Sequence, residues 1–390
     1  MREEPSTEFK SKRPAGRPDF ERIALLLQGG GALGSYQAGV YQALAEADLH
    51  PDWIAGISIG AINSALIAGN PPEKRVDRLR EFWVAVTEPP LGIPNFESSL
   101  PDEIFYHRLI KQSRALVAVF FGAPNFFKPR LPPPFLGSTK DPSTLSIYDF
   151  APLKALLERL VDFALINSGA SRFSVGAVNV RTGNFTYFDN TTHQIGPAHV
   201  MASASLPPGF PATKINGDYS WDGALVSNTP LQWVLDSRPR KDTLSFQIDL
   251  WCARGELPRD LVEVDLREKD IRFSSRTRAA TDQFRKSQAL RRAAMKLLAE
   301  LPETLRHTPE AEMLEQEADD KIYNIIHLIY HAKKYEGTSK DYEFSRATME
   351  EHWTAGYNDA ICTLANPEVL KRHRDFDGVF TFDLGRQASE

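Results

Sequence analysis

Two stretches near the N-terminus decide the fold: residues 22–34, RIALLLQGGGALG, and residues 53–69, WIAGISIGAINSALIAG. Each begins with an unbroken apolar run, at residues 23–27 and 53–57, of the kind that forms a buried parallel strand. Each run ends at glycines, and small or apolar residues at helical spacing follow. The sequence therefore predicts two consecutive strand–turn–helix units.

The second turn has the G-x-S-x-G form of a nucleophile elbow, with Ser58 between Gly56 and Gly60. A serine on so cramped a strand-to-helix turn has its hydroxyl exposed above the sheet. The two glycines avoid collisions between a side chain and the neighbouring backbone. The pattern indicates Ser58 as a nucleophile, although a glycine-rich turn can also reflect tight packing alone.

The first turn, GGGALG at residues 29–34, offers the second requirement of acyl transfer. A tetrahedral intermediate needs backbone N–H donors near its oxyanion, and glycine lets a substrate approach the backbone closely. The sequence thus predicts a nucleophile and an oxyanion hole on adjacent turns. The glycines assigned to the predicted oxyanion hole are Gly29, Gly30, Gly31 and Gly34.

The same glycines also match the G-x-G-x-x-G fingerprint of dinucleotide-binding proteins, in which pyrophosphate lies at a helix N-terminus. That fold needs an acidic residue at the end of the second strand, about 20 residues further on. Asp48 and Asp52 lie near that distance, but both precede the strand at residues 53–57. A dinucleotide site is therefore the weaker interpretation.

Composition narrows the class of protein. The chain of 390 residues is 42% hydrophobic, so it can bury a large core, and its net charge of −5 gives no support for nucleic-acid binding. Cys252 and Cys362 are too few for a disulfide framework and show no metal-ligand spacing. We find no signal peptide or membrane span, and expect a cytoplasmic protein with a disordered arm at residues 1–20 and at most peripheral membrane contact.

Residues 89–142 form an insertion rich in proline and phenylalanine. Proline at this density argues against a sheet or a long helix, except over residues 104–119. The insertion is either an irregular cap buried against the core or a partly exposed apolar lid for acyl chains or a bilayer surface. The predicted substrate contacts are Phe120, Phe121, Phe126 and Phe127.

Beyond about residue 256 the pattern becomes helical and charged, and long helices are predicted over residues 271–301 and 311–335. His327 and His331 lie at i, i+4 spacing in the second of these. Because no acidic ligand adjoins them, a packing or surface role is favoured over metal binding.

The predicted organisation is thus a hydrolase domain over residues 21–255, which carries the insertion, and a helical extension over residues 256–390.

Ser58 needs a group that accepts its proton. A hydrolase triad would place a histidine late in the chain, after an acid, but the histidines of this chain offer no convincing candidate. Asp222 follows a short predicted strand, and Gly223 after it permits a tight turn that directs the carboxylate into a site. An ordinary Asp-Gly turn is the alternative interpretation.

Four sequence blocks, in this order along the chain, resemble those of the patatin-like phospholipases. They span roughly residues 21 to 250, which makes the resemblance far more specific than any single motif. The blocks are GGGALG at residues 29–34, GISIG at residues 56–60, ASASLPPGFP at residues 202–211 and DGA at residues 222–224.

The resemblance implies a three-layer α/β/α fold with a central, mainly parallel sheet, followed here by the helical extension. It also implies that Ser58 is the nucleophile and that Asp222, in the turn with Gly223 and Ala224, is its sole partner. Such a Ser-Asp dyad uses no histidine, metal or other cofactor. The expected activity is hydrolysis of carboxylic esters of lipids, with a non-lipid carboxylesterase as the alternative.

One position departs from the family pattern. The family often has a basic residue before the last glycine of the first block, where this chain has Leu33. The missing cation argues against recognition of a charged headgroup and leaves room for neutral esters. Residues 340–356 also resemble an extra domain that follows the patatin core in a group of bacterial proteins.

Overall fold

The structure is a computed structural model that describes residues 17–89, 104–131, 141–274, 277–333, 336–373 and 378–383. Most of the predicted disordered arm lies outside these residues, as do two parts of the insertion, residues 90–103 and 132–140. None of the described helices is long and apolar enough to cross a membrane.

Eleven strands are described. They are β1 (Arg22–Leu27), β2 (Trp53–Gly56), β3 (Lys128–Pro129), β4 (Tyr148–Asp149), β5 (Arg172–Asn179), β6 (Phe185–Asp189), β7 (Thr213–Ile215), β8 (Asp218–Asp222), β9 (Thr243–Asp249), β10 (Tyr323–Ile329) and β11 (Val379–Asp383). Nine of them form one sheet in the order β11-β10-β9-β1-β2-β5-β8-β7, with β6 paired to β5. The pairs from β11 to β5 along this order are parallel, and those involving β6, β7 and β8 are antiparallel.

Twelve α-helices are described with these strands. They are α1 (Gly34–Glu46), α2 (Ile59–Ala68), α3 (Arg75–Val86), α4 (Ile104–Phe121), α5 (Ala151–Leu160), α6 (Phe163–Asn167), α7 (Pro197–Ser203), α8 (Leu231–Leu235), α9 (Leu261–Phe273), α10 (Thr277–Glu300), α11 (Pro309–Glu317) and α12 (Arg346–Leu364).

Both faces of the sheet are buried. Successive residues of a strand point to opposite faces, so one strand contributes to the core on each side. Ile23, Leu25 and Leu27 of β1 pack into a core with α1, α2, α3 and α12. Ala24 and Leu26 pack into a second core with α8 and α10. This arrangement confirms the predicted three-layer α/β/α fold with a mainly parallel central sheet.

The C-terminal region is joined closely to this fold. Its strands β10 and β11 extend the sheet beyond β9. Its helix α12 lies against α1 with the backbones in contact: an added Cβ on Gly39 would lie 1.9 Å from the carbonyl oxygen of Trp353. A side chain at Gly39 would therefore push the two helices apart.

The predicted helix over residues 311–335 is wrong. Residues Pro309–Glu317 form α11, but Tyr323–Ile329 form the buried strand β10. A short apolar run rich in β-branched isoleucine fits a buried strand as well as a helix, and pairing with β9 decides the outcome here. His327 lies on β10 and His331 follows it, so they are not neighbours on a helix face. The helix predicted over residues 271–301 is also divided, since α9 ends at Phe273 and α10 begins at Thr277.

Candidate active site

Ser58 lies on the turn between β2 and α2, in a strained backbone conformation with φ +57° and ψ −125°. Backbone atoms approach so closely at this turn that there is no room for a side chain at either flanking glycine. An added Cβ on Gly56 would lie 2.2 Å from the carbonyl oxygen of Gly60, and one on Gly60 would lie 2.2 Å from that of Leu27. The two glycines are therefore required by close approach of the backbone, as the sequence pattern predicts.

Ser203, at the end of α7, holds this turn from the side. The Ser58 N–H donates to both the Oγ and the carbonyl oxygen of Ser203, each at 3.1 Å. The Ser203 Oγ–H in turn donates to the carbonyl oxygen of Gly176 on β5, at 2.6 Å. Ser203 belongs to a block noted in the sequence, but its individual contact with the serine turn was missed.

Asp222 is the last residue of β8 and is fully buried. Its Oδ1 accepts a hydrogen bond of 2.8 Å from the N–H of Ala224, which fixes the carboxylate in the Asp-Gly-Ala turn. Gly223 permits this turn to lie against β5, because an added Cβ would be 2.6 Å from the carbonyl oxygen of Gly176. Gly176 therefore contacts both Ser203 and the Asp222 turn.

Burial raises the pKa of Asp222 from its ordinary value of 3.8 to about 7, while the Ser58 hydroxyl and the Ala224 N–H act in the opposite direction. Within the described residues, Asp222 Oδ2 has no partner of regular hydrogen-bond geometry. Ser58 is thus close enough to favour the ionised carboxylate but is not aligned with it. Loose contacts of this kind are common in active sites without substrate.

The four glycines of the glycine turn, Gly29, Gly30, Gly31 and Gly34, differ in whether their backbone N–H groups are hydrogen-bonded. The Gly29 N–H donates to Asn228 Oδ1 at 3.1 Å, and the Gly34 N–H donates to the carbonyl oxygen of Gly31. Among the described residues, neither the Gly30 nor the Gly31 N–H has an acceptor. Two unused backbone donors therefore lie beside the serine turn.

A cavity of about 280 Å³ joins these groups, with Gly30, Gly31 and Ser58 in its lining. Most of its other lining residues are aromatic or aliphatic. The aromatic ones are Phe126, Phe127, Tyr148, Phe210, Trp251, Phe273, Tyr342 and Phe344. Asp222 is not among the lining residues, although Ala224 of the same turn is.

The four phenylalanines of the insertion separate into two pairs. Phe126 and Phe127 are buried and line the cavity, whereas Phe120 and Phe121 at the end of α4 are 69% and 59% exposed.

A second, more polar cavity of about 760 Å³ adjoins the first. Both are lined by Leu206, Ala224, Asn228, Phe273 and Asp341. The polar cavity adds four charged residues of α9, which are Asp265, Glu268, Lys269 and Arg272. Leu33 is fully buried in the core and lines neither cavity, so the cations near the site come from the C-terminal region.

Two further groups that sequence reasoning missed are Asn228 and Asp341. Asn228 holds Gly29 on both sides, because its Nδ2 also donates to the Gly29 carbonyl oxygen at 3.1 Å. Its sequence context, Asn-Thr-Pro, resembles a helix cap and carries no sign of this role.

Among the described residues, no histidine lines the apolar cavity, and no group of three or more His, Cys, Asp or Glu residues is arranged to hold a metal ion.

The fold and the site together define an α/β protein with a serine on a strained strand-to-helix turn, an adjacent buried aspartate and a glycine turn with unused amides. A family model described as patatin-like phospholipase matches residues 25–235, and a second model, DUF3734, described as patatin phospholipase, matches residues 271–375. The chain belongs to the patatin-like phospholipase family.

Two individual proteins are also similar. M110.7 of Caenorhabditis elegans, named as a patatin-like phospholipase domain-containing protein, is 36% identical over an aligned length of 74 residues, and the match covers 17% of this chain. The match spans 7% of that relative's length. The crystal structure of VipD from Legionella pneumophila aligns at 13% identity with a TM-score of 0.40, covering 94% of this chain and 72% of VipD.

Proposed function

We propose that the protein is a serine acyl hydrolase that cleaves carboxylic esters of lipids, with Ser58 as nucleophile and Asp222 as its only proton acceptor. One observation carries the proposal: Ser58, on a strained turn, interacts with a fully buried aspartate and lines one cavity with two residues whose backbone N–H groups are unused. Membership of the patatin-like phospholipase family supports the same chemistry.

The proposed reaction begins when Asp222 Oδ2 takes the proton of Ser58 as the hydroxyl attacks the acyl carbonyl. A carboxylate of ordinary pKa is a weak base, but the pKa of about 7 that burial gives Asp222 suits proton transfer near neutral pH. The Ala224 N–H holds the other carboxylate oxygen, so Oδ2 remains available. Asp222 gives this proton to the alcohol oxygen as the ester C–O bond breaks, which leaves the acyl group on Ser58. The regenerated carboxylate then takes a proton from water as the water attacks the acyl carbonyl, and it returns that proton to Ser58 Oγ as the carboxylic acid leaves.

We assign the oxyanion to the N–H groups of Gly30 and Gly31. Both residues line the cavity with Ser58, and neither N–H has an acceptor among the described residues. Fixed donors of this kind stabilise a tetrahedral intermediate without reorganising. Gly29 and Gly34, whose N–H groups are occupied, shape the turn instead.

The form of the site supports an amphiphilic ester as substrate. The aromatic cavity suits an acyl chain, and the adjoining charged cavity suits a polar alcohol portion. Val119 lines the apolar cavity and is also part of an exposed apolar face of α4, completed by Leu116, Phe120 and Phe121. An exposed apolar surface continuous with the cavity is suited to peripheral contact with a bilayer.

Two other functions are weaker. A carboxylesterase for short, non-lipid esters is favoured by the modest cavity volume, and a preference for short acyl chains would reveal it. A dinucleotide site would require an acidic residue at the end of the second strand, but β2 ends at Gly56. Asp52 instead accepts a hydrogen bond from the N–H of Ile23, near the start of β1, which is the opposite end of that strand.

Fluorophosphonate labelling tests the proposal directly. The purified wild-type protein should be labelled on Ser58 and should hydrolyse carboxylic esters, and Ser58→Ala should abolish both. Ser227→Ala provides the matched control, because Ser227 lines the adjoining cavity but lies on no strained turn. Labelling of Ser58→Ala at the wild-type level would refute the assignment.

A further inference from the structure

Residues 340–344, here called the C-terminal strap, form part of the wall of the apolar cavity. Asp341, Tyr342 and Phe344 all line it, although they are distant from Ser58 in sequence. Phe344 contacts Phe126 and Phe127, with ring centroids 5.5 and 5.9 Å apart. The cavity is therefore incomplete without the C-terminal region.

The strap also contacts the glycine turn itself. The N–H of Ala32 donates to the carbonyl oxygen of Asp341 at 2.8 Å. Gly31 has a left-handed φ of +56°, and an added Cβ there would lie 2.1 Å from the same oxygen. The strap thus accepts the hydrogen bond of Ala32, the residue that follows Gly30 and Gly31 in the turn, and it also contacts Gly31.

Two crossed ion pairs hold the strap against α9. Lys340 Nζ lies 2.7 Å from Asp270 Oδ1, and Lys269 Nζ lies 3.3 Å from Asp341 Oδ1. The Lys340 side chain is only 3% exposed, so removal of its charge would leave Asp270 without this partner in a largely buried position.

Lys340 also connects the strap with the other end of the glycine turn. Its ammonium lies 4.8 Å from the ring centroid of Trp251, and Trp251 Nε1 donates to the carbonyl oxygen of Gly29 at 2.9 Å. The turn is therefore held at Gly29 and at Ala32, on both sides of the two unused donors.

We infer that the C-terminal strap positions the oxyanion hole: the Asp341 carbonyl and Lys340 keep the N–H groups of Gly30 and Gly31 in their donating geometry. The inference rests on the proposed function. It makes the C-terminal region a working part of the active site, with Lys340 as a positioning residue that does not touch substrate.

The test compares two buried lysines that each pair with an acid across the fold. Lys340→Met removes the strap contact, and Lys111→Met removes the contact of a similarly buried lysine, 6% exposed, with Glu351 of α12 at 3.0 Å. Both variants should lose thermal stability. Only Lys340→Met should lower kcat, by about 10- to 100-fold, with KM for a soluble ester nearly unchanged. Lys340→Arg should retain most of the activity.

A trifluoromethyl ketone inhibitor supplies a readout that looser packing alone would not produce, because its adduct with serine carries an oxyanion. Its affinity should fall in Lys340→Met by about the same factor as kcat/KM. Unchanged kcat in Lys340→Met, unchanged inhibitor affinity, or an equal loss of both in Lys111→Met would overturn the inference. If Lys340→Met does not fold, Asp270→Asn breaks the same pair and takes its place.

The proposed function and the positioning role of the strap are refuted by different results. Absence of fluorophosphonate labelling in the wild type would refute the proposed function, and the inference with it. A labelled, active wild type with full kcat in both Lys340→Met and Asp270→Asn would refute only the positioning role of the strap.

Discussion

The two N-terminal strand–turn–helix units share one sequence pattern, but different parts of the chain hold their turns in place. The turn at Ser58 is closed by backbone contacts of Gly56, Gly60 and the adjacent strand end at Leu27, and Ser203 supports it from later in the chain. The turn at residues 29–34 is bounded by residues that come much later in the chain. These are Asn228, Trp251 and Asp341.

This difference has a physical consequence. A turn whose shape follows from its own backbone contacts is specified by a short motif, so the nucleophile position can be predicted from five residues. A turn that depends on distant partners is specified only when the whole fold has formed. The same four glycines could therefore serve several chemistries, and their partners decide which N–H groups remain unused.

The largest expected effect concerns the proposed dyad. Asp222→Asn keeps the shape of the side chain but removes the proton acceptor, so turnover should fall by about 10³-fold or more, nearly as far as in Ser58→Ala. The double variant should be little worse than either single one, because members of one catalytic unit are not additive. Steady-state kinetics on a soluble ester measures all three.

Asp218→Asn is the control for this comparison, since Asp218 is the exposed first residue of the same strand and is assigned no proton transfer. A nearly silent Asp222→Asn, together with a histidine whose replacement matched Ser58→Ala, would restore a conventional triad.

A smaller loss is expected at the glycine turn. Gly31→Ala introduces a Cβ that would lie 2.1 Å from the Asp341 carbonyl oxygen and should displace the turn, lowering kcat by about 10²-fold. Gly183→Ala is the matched control, because Gly183 has a similar φ of +70° and nothing within 4 Å of an added Cβ. Equal kcat in the two variants would show that the contact with the strap has no catalytic consequence.

The smallest effect is expected at the exposed phenylalanines. Full burial of one large apolar side chain contributes about 1.5–3 kcal/mol, so Phe120→Ser with Phe121→Ser should weaken hydrolysis of phospholipid vesicles by about 10-fold or more. Hydrolysis of a soluble short ester should change little. The control replaces two exposed leucines of α10, Leu290 and Leu297, with serine. Equal losses on both substrates would assign the two phenylalanines a structural role.

Features that depend on residues close together in sequence could be predicted, whereas features that depend on distant residues could not. The two strand–turn–helix units and the Asp-Gly-Ala turn carry local patterns, and the structure has the three-layer fold that the family resemblance implies. The predicted helix over residues 311–335 failed because the isoleucine-rich run of β10 is stabilised by pairing with β9, which lies far away in sequence. Periodicity alone cannot separate a short buried strand from a helix segment.

The insertion shows the same limit within one segment. Its four phenylalanines are equivalent in sequence, but Phe126 and Phe127 pack in an aromatic cluster with Phe210 and Phe344, whereas Phe120 and Phe121 remain exposed. Leu33 was noted as a missing cation, yet its place in the core explains why a leucine suits that position. These outcomes depend on partners that no local pattern reveals.

The pH dependence of fluorophosphonate labelling at Ser58 tests the central claim most directly. Burial raises the pKa of Asp222 to about 7, and only its ionised form can accept the serine proton. The labelling rate should therefore reach a plateau above about pH 8, be half-maximal near pH 7 and fall about tenfold for each pH unit below that. Asp218→Asn should leave this profile unchanged. A labelling rate that stayed constant from about pH 8 down to about pH 5, or a midpoint that disappeared on replacement of a histidine, would contradict the Ser58–Asp222 dyad.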